Sequence, residues 1–141
     1  MARNDMVEQL SGVDLFSTCT ARELTLIARV TEERSVDSGT AVVEQGASGN
    51  QLYLIVAGEA EVIRDGRSVA RLGPGQYFGE LAVLDGAPRG ATVTASSDLE
   101  LLVLGQREVA AVLDEWPGVS RKLLVTLAAR LRQAEADAAT H

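Results

Sequence analysis

The chain has 141 residues, 46% of them hydrophobic and 4% aromatic, with a formal net charge of −7. That length and apolar content predict one folded domain over residues 1–141 with an aliphatic core. The acidic balance repels phosphate backbones, which argues against nucleic acid as a partner. No apolar run approaches the roughly 20 residues of a membrane helix, and Met1-Ala2-Arg3-Asn4-Asp5 lacks the apolar stretch of a secretion signal. No membrane partner is expected, and the expected location is cytoplasmic. Cys19 is the single cysteine and His141 the single histidine. A disulfide framework, a cluster of zinc ligands and a Ser-His or Cys-His pair are therefore out of reach, and with them most hydrolytic and metal enzymes. No catalytic residue and no metal site are predicted.

Asp5 to Leu10 reads as a short helix broken near Gly12, and Val13 to Ser17 as a compact apolar elbow. Thr20-Ala21-Arg22-Glu23 matches a capping box ahead of Leu24, Ile27, Ala28 and Val30, so a helix with one apolar face should start there. Cys19 precedes the cap, where an apolar side chain packs on the fourth helical residue, Leu24; no cation cluster nearby would activate the thiol.

From Glu32 to Leu104 the pattern changes to short extended segments separated by turn signals. Strands are predicted at about 32–37, 40–45, 51–57, 59–64, 67–72, 76–78, 91–97 and 99–104. Asp65-Gly66 is a two-residue hairpin turn in which both residues tolerate positive φ. Leu52, Leu54 and Val56 alternate and are assigned inward, while the apolar Tyr53 and Ile55 between them require a second cover outside the sheet. After Gly105 the helical period returns through Val109, Val112 and Leu113, and Trp116-Pro117 marks a break. A last helix is predicted over 118–136 with Val119, Leu123, Leu124, Leu127, Ala128 and Leu131 on one stripe, followed by a frayed tail from Asp137 to His141. Arg64, Arg67 and Arg71 are read as solvated strand residues.

One stretch carries chemistry. Between Gly75 and Val93, Tyr77 and Phe78 end a strand, Gly79 permits close backbone approach, and Glu80 to Leu84 forms a single helical turn with unpaired N–H groups. Pro88 and Arg89 follow Asp85-Gly86. Arg89 offers a planar fork of donors suited to two oxygens of one phosphate or carboxylate. Glu80 would repel such an anion, so its task is to accept hydrogen bonds from ligand hydroxyls.

Phe78-Gly79-Glu80-Leu81-Ala82 followed by Pro88-Arg89-Gly90-Ala91-Thr92-Val93 resembles the phosphate-binding cassette of cyclic nucleotide-binding domains, with the cassette at 78–92. The resemblance spans nearly the whole chain. It implies a mainly β fold with flanking helices: an eight-stranded antiparallel β-roll (a double-stranded β-helix, jelly-roll-like) over 32–104, with N-terminal helices in 1–31, a short phosphate-binding helix, and two C-terminal helices in 105–137. It further implies that Arg89 holds the cyclic phosphate, that Glu80 accepts from the ribose 2′-hydroxyl, and that the main chain of Gly79, Leu81, Ala82, Gly90 and Ala91 completes the cradle. Relatives that prefer cGMP often carry threonine after the arginine; here the residue is Gly90, so cAMP is the expected ligand and cGMP the less favoured one. A lid over the base is expected from the last helix, with Leu127, Arg130, Leu131 and Ala134 as candidates. A weaker second stripe, Val125, Ala129 and Ala136, interrupted by Arg132, supports a homodimer through that helix. The expected function is a regulatory module that couples ligand binding to movement of its C-terminal helices and acts on an effector the sequence does not identify. The competing reading is a β-roll that serves as an interaction domain and binds no nucleotide.

Overall fold

A computed structural model describes residues 3–139. Eight strands form two antiparallel four-stranded sheets facing each other as a roll. One sheet has the order β1 (Glu32–Val36), β8 (Leu99–Gly105), β3 (Gln51–Ala57), β6 (Tyr77–Phe78). The other has the order β2 (Ala41–Val43), β7 (Thr92–Ala95), β4 (Ala60–Arg64), β5 (Arg67–Leu72). Helices α1 (Arg3–Ser11) and α2 (Ala21–Ala28) precede the roll, α3 (Glu80–Asp85) interrupts it between β6 and β7, and α4 (Gln106–Glu115) and α5 (Pro117–Ala139) close the chain. The apolar elbow is a 3-10 turn over Asp14–Phe16 that buries Leu15 and Phe16.

The first sheet is covered on both faces. Tyr53, Ile55, Leu99, Leu101 and Val103 point into the roll, while Leu52, Leu54, Leu102 and Leu104 pack against the helices. The expectation for β3 was thus inverted: Leu52 and Leu54 are its helix-facing residues, and Tyr53 and Ile55 are inside. Both sets are apolar because both faces are buried, so alternation alone carries no polarity to tell them apart. Inside the roll, the rings of Tyr53 and Phe78 stack with centroids 5.0 Å apart.

Local signals acted where they were read. Thr20 accepts from the Glu23 N–H at 3.2 Å and the Glu23 carboxylate accepts from the Thr20 N–H at 2.8 Å, completing the capping box. Asp65 and Gly66 take φ of 53° and 78°, and the turn joins β4 to β5 in register from Ala60↔Leu72 to Arg64↔Arg67. Trp116 is extended at φ −123°, ψ 94°, as the following proline requires, and Pro117 opens α5.

The last helix differs from its predicted stripe. Val119 and Leu123 are buried and Leu127 is half-buried against the helix-side core, but Leu124 is 66% and Leu131 61% exposed, and Ala128 is exposed as well. α5 packs on the core through Val119, Leu123 and Leu127; Leu124 falls between them on a different face of the helix, and past Leu127 the apolar residues face solvent. The helix also continues through Ala139, past the predicted start of fraying at Asp137; Thr140 and His141 lie outside the described residues.

Cys19 is half-buried against the same cluster as Leu24. Burial, and secondarily the Glu23 carboxylate, push its thiol up to about 11. At neutral pH the thiolate is scarce, so alkylation of native Cys19 by iodoacetamide should run roughly a hundredfold slower than that of a free thiol. A native rate equal to the denatured rate would contradict this packing. Thr20→Ala should lower stability by about 1 kcal/mol in urea titrations, through loss of the cap.

Candidate anion site

Arg89 follows α3 and its C-terminal loop, just ahead of β7, and the turn at 44–49 grips its backbone from both sides. The Gly46 N–H donates to the Arg89 carbonyl at 2.7 Å, and the Arg89 N–H donates to the Ala47 carbonyl at 2.8 Å. With its Cα thus placed, the side chain runs inward and is 6% exposed. Its Nη1 donates to the Gly79 carbonyl at 3.2 Å and its Nη2 to the Gln51 carbonyl at 3.1 Å. The guanidinium carbon lies 5.9 Å from the centroid of the Tyr53 ring, within reach of a cation–π attraction. Among the described residues no carboxylate pairs with it.

Two glycines make room for this arrangement. Gly79 has φ 92°, and a Cβ there would lie 2.6 Å from the Gln51 carbonyl oxygen and 2.9 Å from Arg89 Nη1. Gly49 needs no unusual φ, yet a Cβ there would lie 2.8 Å from Nε and 2.9 Å from Nη2 of Arg89. Gly49 lies in the loop between β2 and β3, and its contact with the guanidinium was not anticipated from the sequence. A second glycine in a short loop, at a position with no need for positive φ, is the signal that could have found it.

Glu80 is the first residue of α3 and is 6% exposed. Its carboxylate does not meet Arg89. Instead Oε1 accepts from Nη1 of Arg130, which reaches across from α5. The Arg130 guanidinium carbon also lies 5.8 Å from the centroid of the Tyr77 ring. Burial, reinforced by the Glu80 and Asp14 carboxylates and opposed by Thr126 and Arg130, raises the pKa of the Tyr77 phenol. The two ionic side chains that share one short cassette therefore have separate surroundings: Arg89 faces neutral carbonyls, and Glu80 is neutralised by the last helix.

Above them opens a cavity of about 640 Å³ between the β4–β5 hairpin and the segment from β6 through Ala91. Each of Gly79, Glu80, Leu81, Ala82, Arg89, Gly90 and Ala91 lines it. Of the lid candidates, Arg130 lines it, whereas Leu127 packs on the core and Leu131 and Ala134 face solvent. That volume suits a ligand of nucleotide size. Arg64 also lines the cavity, and its Nε donates to the Gly90 carbonyl at 3.2 Å, so it does more than sit on a solvated strand as expected. Among the described residues no group of three or more His, Cys, Asp or Glu side chains could hold a metal ion, and no helix is long and apolar enough to cross a membrane.

The family model of the cyclic nucleotide-binding domain matches residues 33–115, and the chain belongs to that family. It is 41% identical over 111 residues to a cAMP-dependent protein kinase regulatory subunit of Yarrowia lipolytica, an alignment that covers 74% of this chain and 30% of the relative. The crystal structure of the Thermus thermophilus catabolite activator protein superposes with a TM-score of 0.82 at 34% identity, covering 88% of this chain and 61% of that one. The regulatory domain of Toxoplasma gondii protein kinase A in complex with cAMP superposes with a TM-score of 0.69 at 32% identity, over 78% of this chain and 44% of that one. The chain thus spans less than two thirds of the length of these relatives, and it has the mainly β, helix-flanked roll that they share.

Gly49→Ala should displace the Arg89 guanidinium, because the added Cβ falls on its Nε and Nη2. The Arg89 Nε resonance should move, with a stability loss of about 1 to 2 kcal/mol from weakened buried hydrogen bonds. An unchanged Arg89 signal in the folded variant would contradict the contact.

Proposed function

We propose that this domain binds a cyclic nucleotide, cAMP in preference to cGMP, in the cavity above Arg89, and that occupancy is read out by the distal half of α5. The observation that carries the reading is the buried Arg89 guanidinium with no carboxylate partner among the described residues. A buried cation without a counter-ion costs free energy unless an anion is supplied, and a ligand with one phosphate charge supplies it. The main chain of Gly79, Leu81, Ala82, Gly90 and Ala91 lines the same cavity and completes the cradle.

Glu80 accepts from a sugar hydroxyl of the ligand. Its carboxylate is held by Arg130, so a bound hydroxyl shares or displaces that partner. Arg130 ties the distal half of α5 to the cavity, and a ligand that changes its hold on Glu80 favours one helix position over another. Gly90 offers no hydroxyl to a guanine amino group, which supports adenine. The exposed Leu124, Val125 and Leu131 leave apolar surface on α5 and support a homodimer through that helix. In this reading the chain is a non-enzymatic regulatory unit of the cytoplasm that transmits α5 movement to an effector, as befits relatives named as kinase regulatory subunits and a catabolite activator.

Isothermal titration of cAMP should give one site per chain, and Arg89→Ala should weaken it by about a hundredfold or more while the β-rich circular dichroism spectrum is retained. Unchanged affinity in Arg89→Ala would overturn the assignment. Absence of binding by the wild type to both nucleotides would favour the interaction-domain reading.

A further inference from the structure

The β4–β5 hairpin carries a second unpaired cation at the cavity wall. Arg64 ends β4 beside the Asp65-Gly66 turn. Two other cationic side chains at this wall have acidic partners: Arg71 pairs with Glu59 and Arg130 with Glu80. Arg64 forms no ion pair among the described residues. Its neighbour Asp65 is already engaged by Gln45, whose amide donates to the Asp65 carboxylate at 2.8 Å and accepts from the Asp65 N–H at 2.9 Å. Gln45 in turn donates its backbone N–H to Thr92 Oγ1 at 2.9 Å, and Ile63 pairs with Thr92 across the β4–β7 ladder. These links fix the base of Arg64 relative to the strand that follows Arg89.

The target of Arg64 lacks any side chain of its own. Gly90 is exposed, and a Cβ there would meet nothing within 4 Å, so the space beside its Cα is open. Arg64 Nε accounts for one side of it by donating to the Gly90 carbonyl at 3.2 Å. In a trans peptide the carbonyl and the next N–H point in opposite directions. Gripping the Gly90 carbonyl from the hairpin therefore turns the Ala91 N–H away from the hairpin. The two other guanidinium nitrogens remain as donors on a wall shared with Arg89 and Glu80.

We propose that Arg64 is a positioning residue of the anion site: its Nε fixes the Gly90–Ala91 peptide, and its unpaired charge adds attraction for an anionic ligand within a chain that is acidic overall. This rests on the cyclic-nucleotide reading of the cavity. The hairpin thereby becomes part of the binding site, with its register and its turn setting the loop that carries Arg89.

The test is calorimetric titration of cAMP at about 50 and about 300 mM KCl into the wild type, Arg64→Gln, Arg64→Lys and Arg67→Gln. Arg67 is on the same hairpin but does not line the cavity. Arg64→Gln should weaken binding about ten-fold at low salt and flatten its salt dependence. Arg64→Lys should recover the salt dependence with affinity still below wild type, because lysine has no Nε–H fork for the Gly90 carbonyl. Arg67→Gln should match wild type. Affinity of Arg64→Gln equal to wild type, or an equal loss in Arg67→Gln, overturns the proposal. If the wild type binds neither nucleotide, the nucleotide reading fails by itself, and the peptide grip is judged by amide resonances. Shifts at Gly90 and Ala91 in Arg64→Gln but not in Arg67→Gln support it, and their absence overturns it.

Discussion

A guanidinium held inside a protein by two peptide carbonyls and an aromatic face keeps its hydrogen bonds but not its charge balance. Arg89 is in that state, bonded to Gly79 and Gln51 and placed above Tyr53. Neutral acceptors orient the fork without neutralising it, so the site retains attraction for an anion. Much of the local architecture serves this one side chain. The turn at 44–49 clamps its backbone, Gly49 and Gly79 clear the space its nitrogens occupy, and β3 contributes both the Gln51 carbonyl and the Tyr53 ring.

The roll makes such an arrangement affordable by burying one sheet twice. Residues such as Leu101 and Val103 fill the roll while Leu102 and Leu104 hold the helices, so the strand that carries Gln51 and Tyr53 is fixed from both sides. α5 is anchored unevenly on this frame. Its first turns are held by Val119, Leu123 and the contact of Lys122 with Asp14, at 3.3 Å, whereas further along Arg130 reaches into the cavity to Glu80. In the proposed function, a helix secured at its start and tied to the site just past its midpoint reports on what fills the site.

What was legible in the sequence follows from how local each interaction is. The capping box from Thr20 to Glu23 and the turn at Asp65-Gly66 are completed within a few residues, and both formed as read. Glu80 and Arg89 stood out because their types and spacing fall within one short segment, and both line the cavity. Their pairings did not stand out, although Arg130 was among the lid candidates. Arg130 meets Glu80 across fifty residues, the Gln51 carbonyl is a backbone atom that any residue would supply, and Arg64 reaches Gly90 only because β4 lies beside β7. The faces of β3 were inverted since both are apolar, and Leu124 and Leu131 were placed in the core because their spacing fits a stripe that α5 leaves exposed.

The claim that the cavity awaits an anion for Arg89 is tested most directly by comparing the thermal stabilisation given by cAMP with that given by adenosine, which has the base and ribose but no charge. A ligand at a hundred times its Kd stabilises a fold by about 2.7 kcal/mol. For a domain of this size, that amounts to a rise of several degrees in Tm. The account predicts such a rise with millimolar cAMP and little with the same concentration of adenosine. Equal shifts for the two, or none with cAMP, would contradict it.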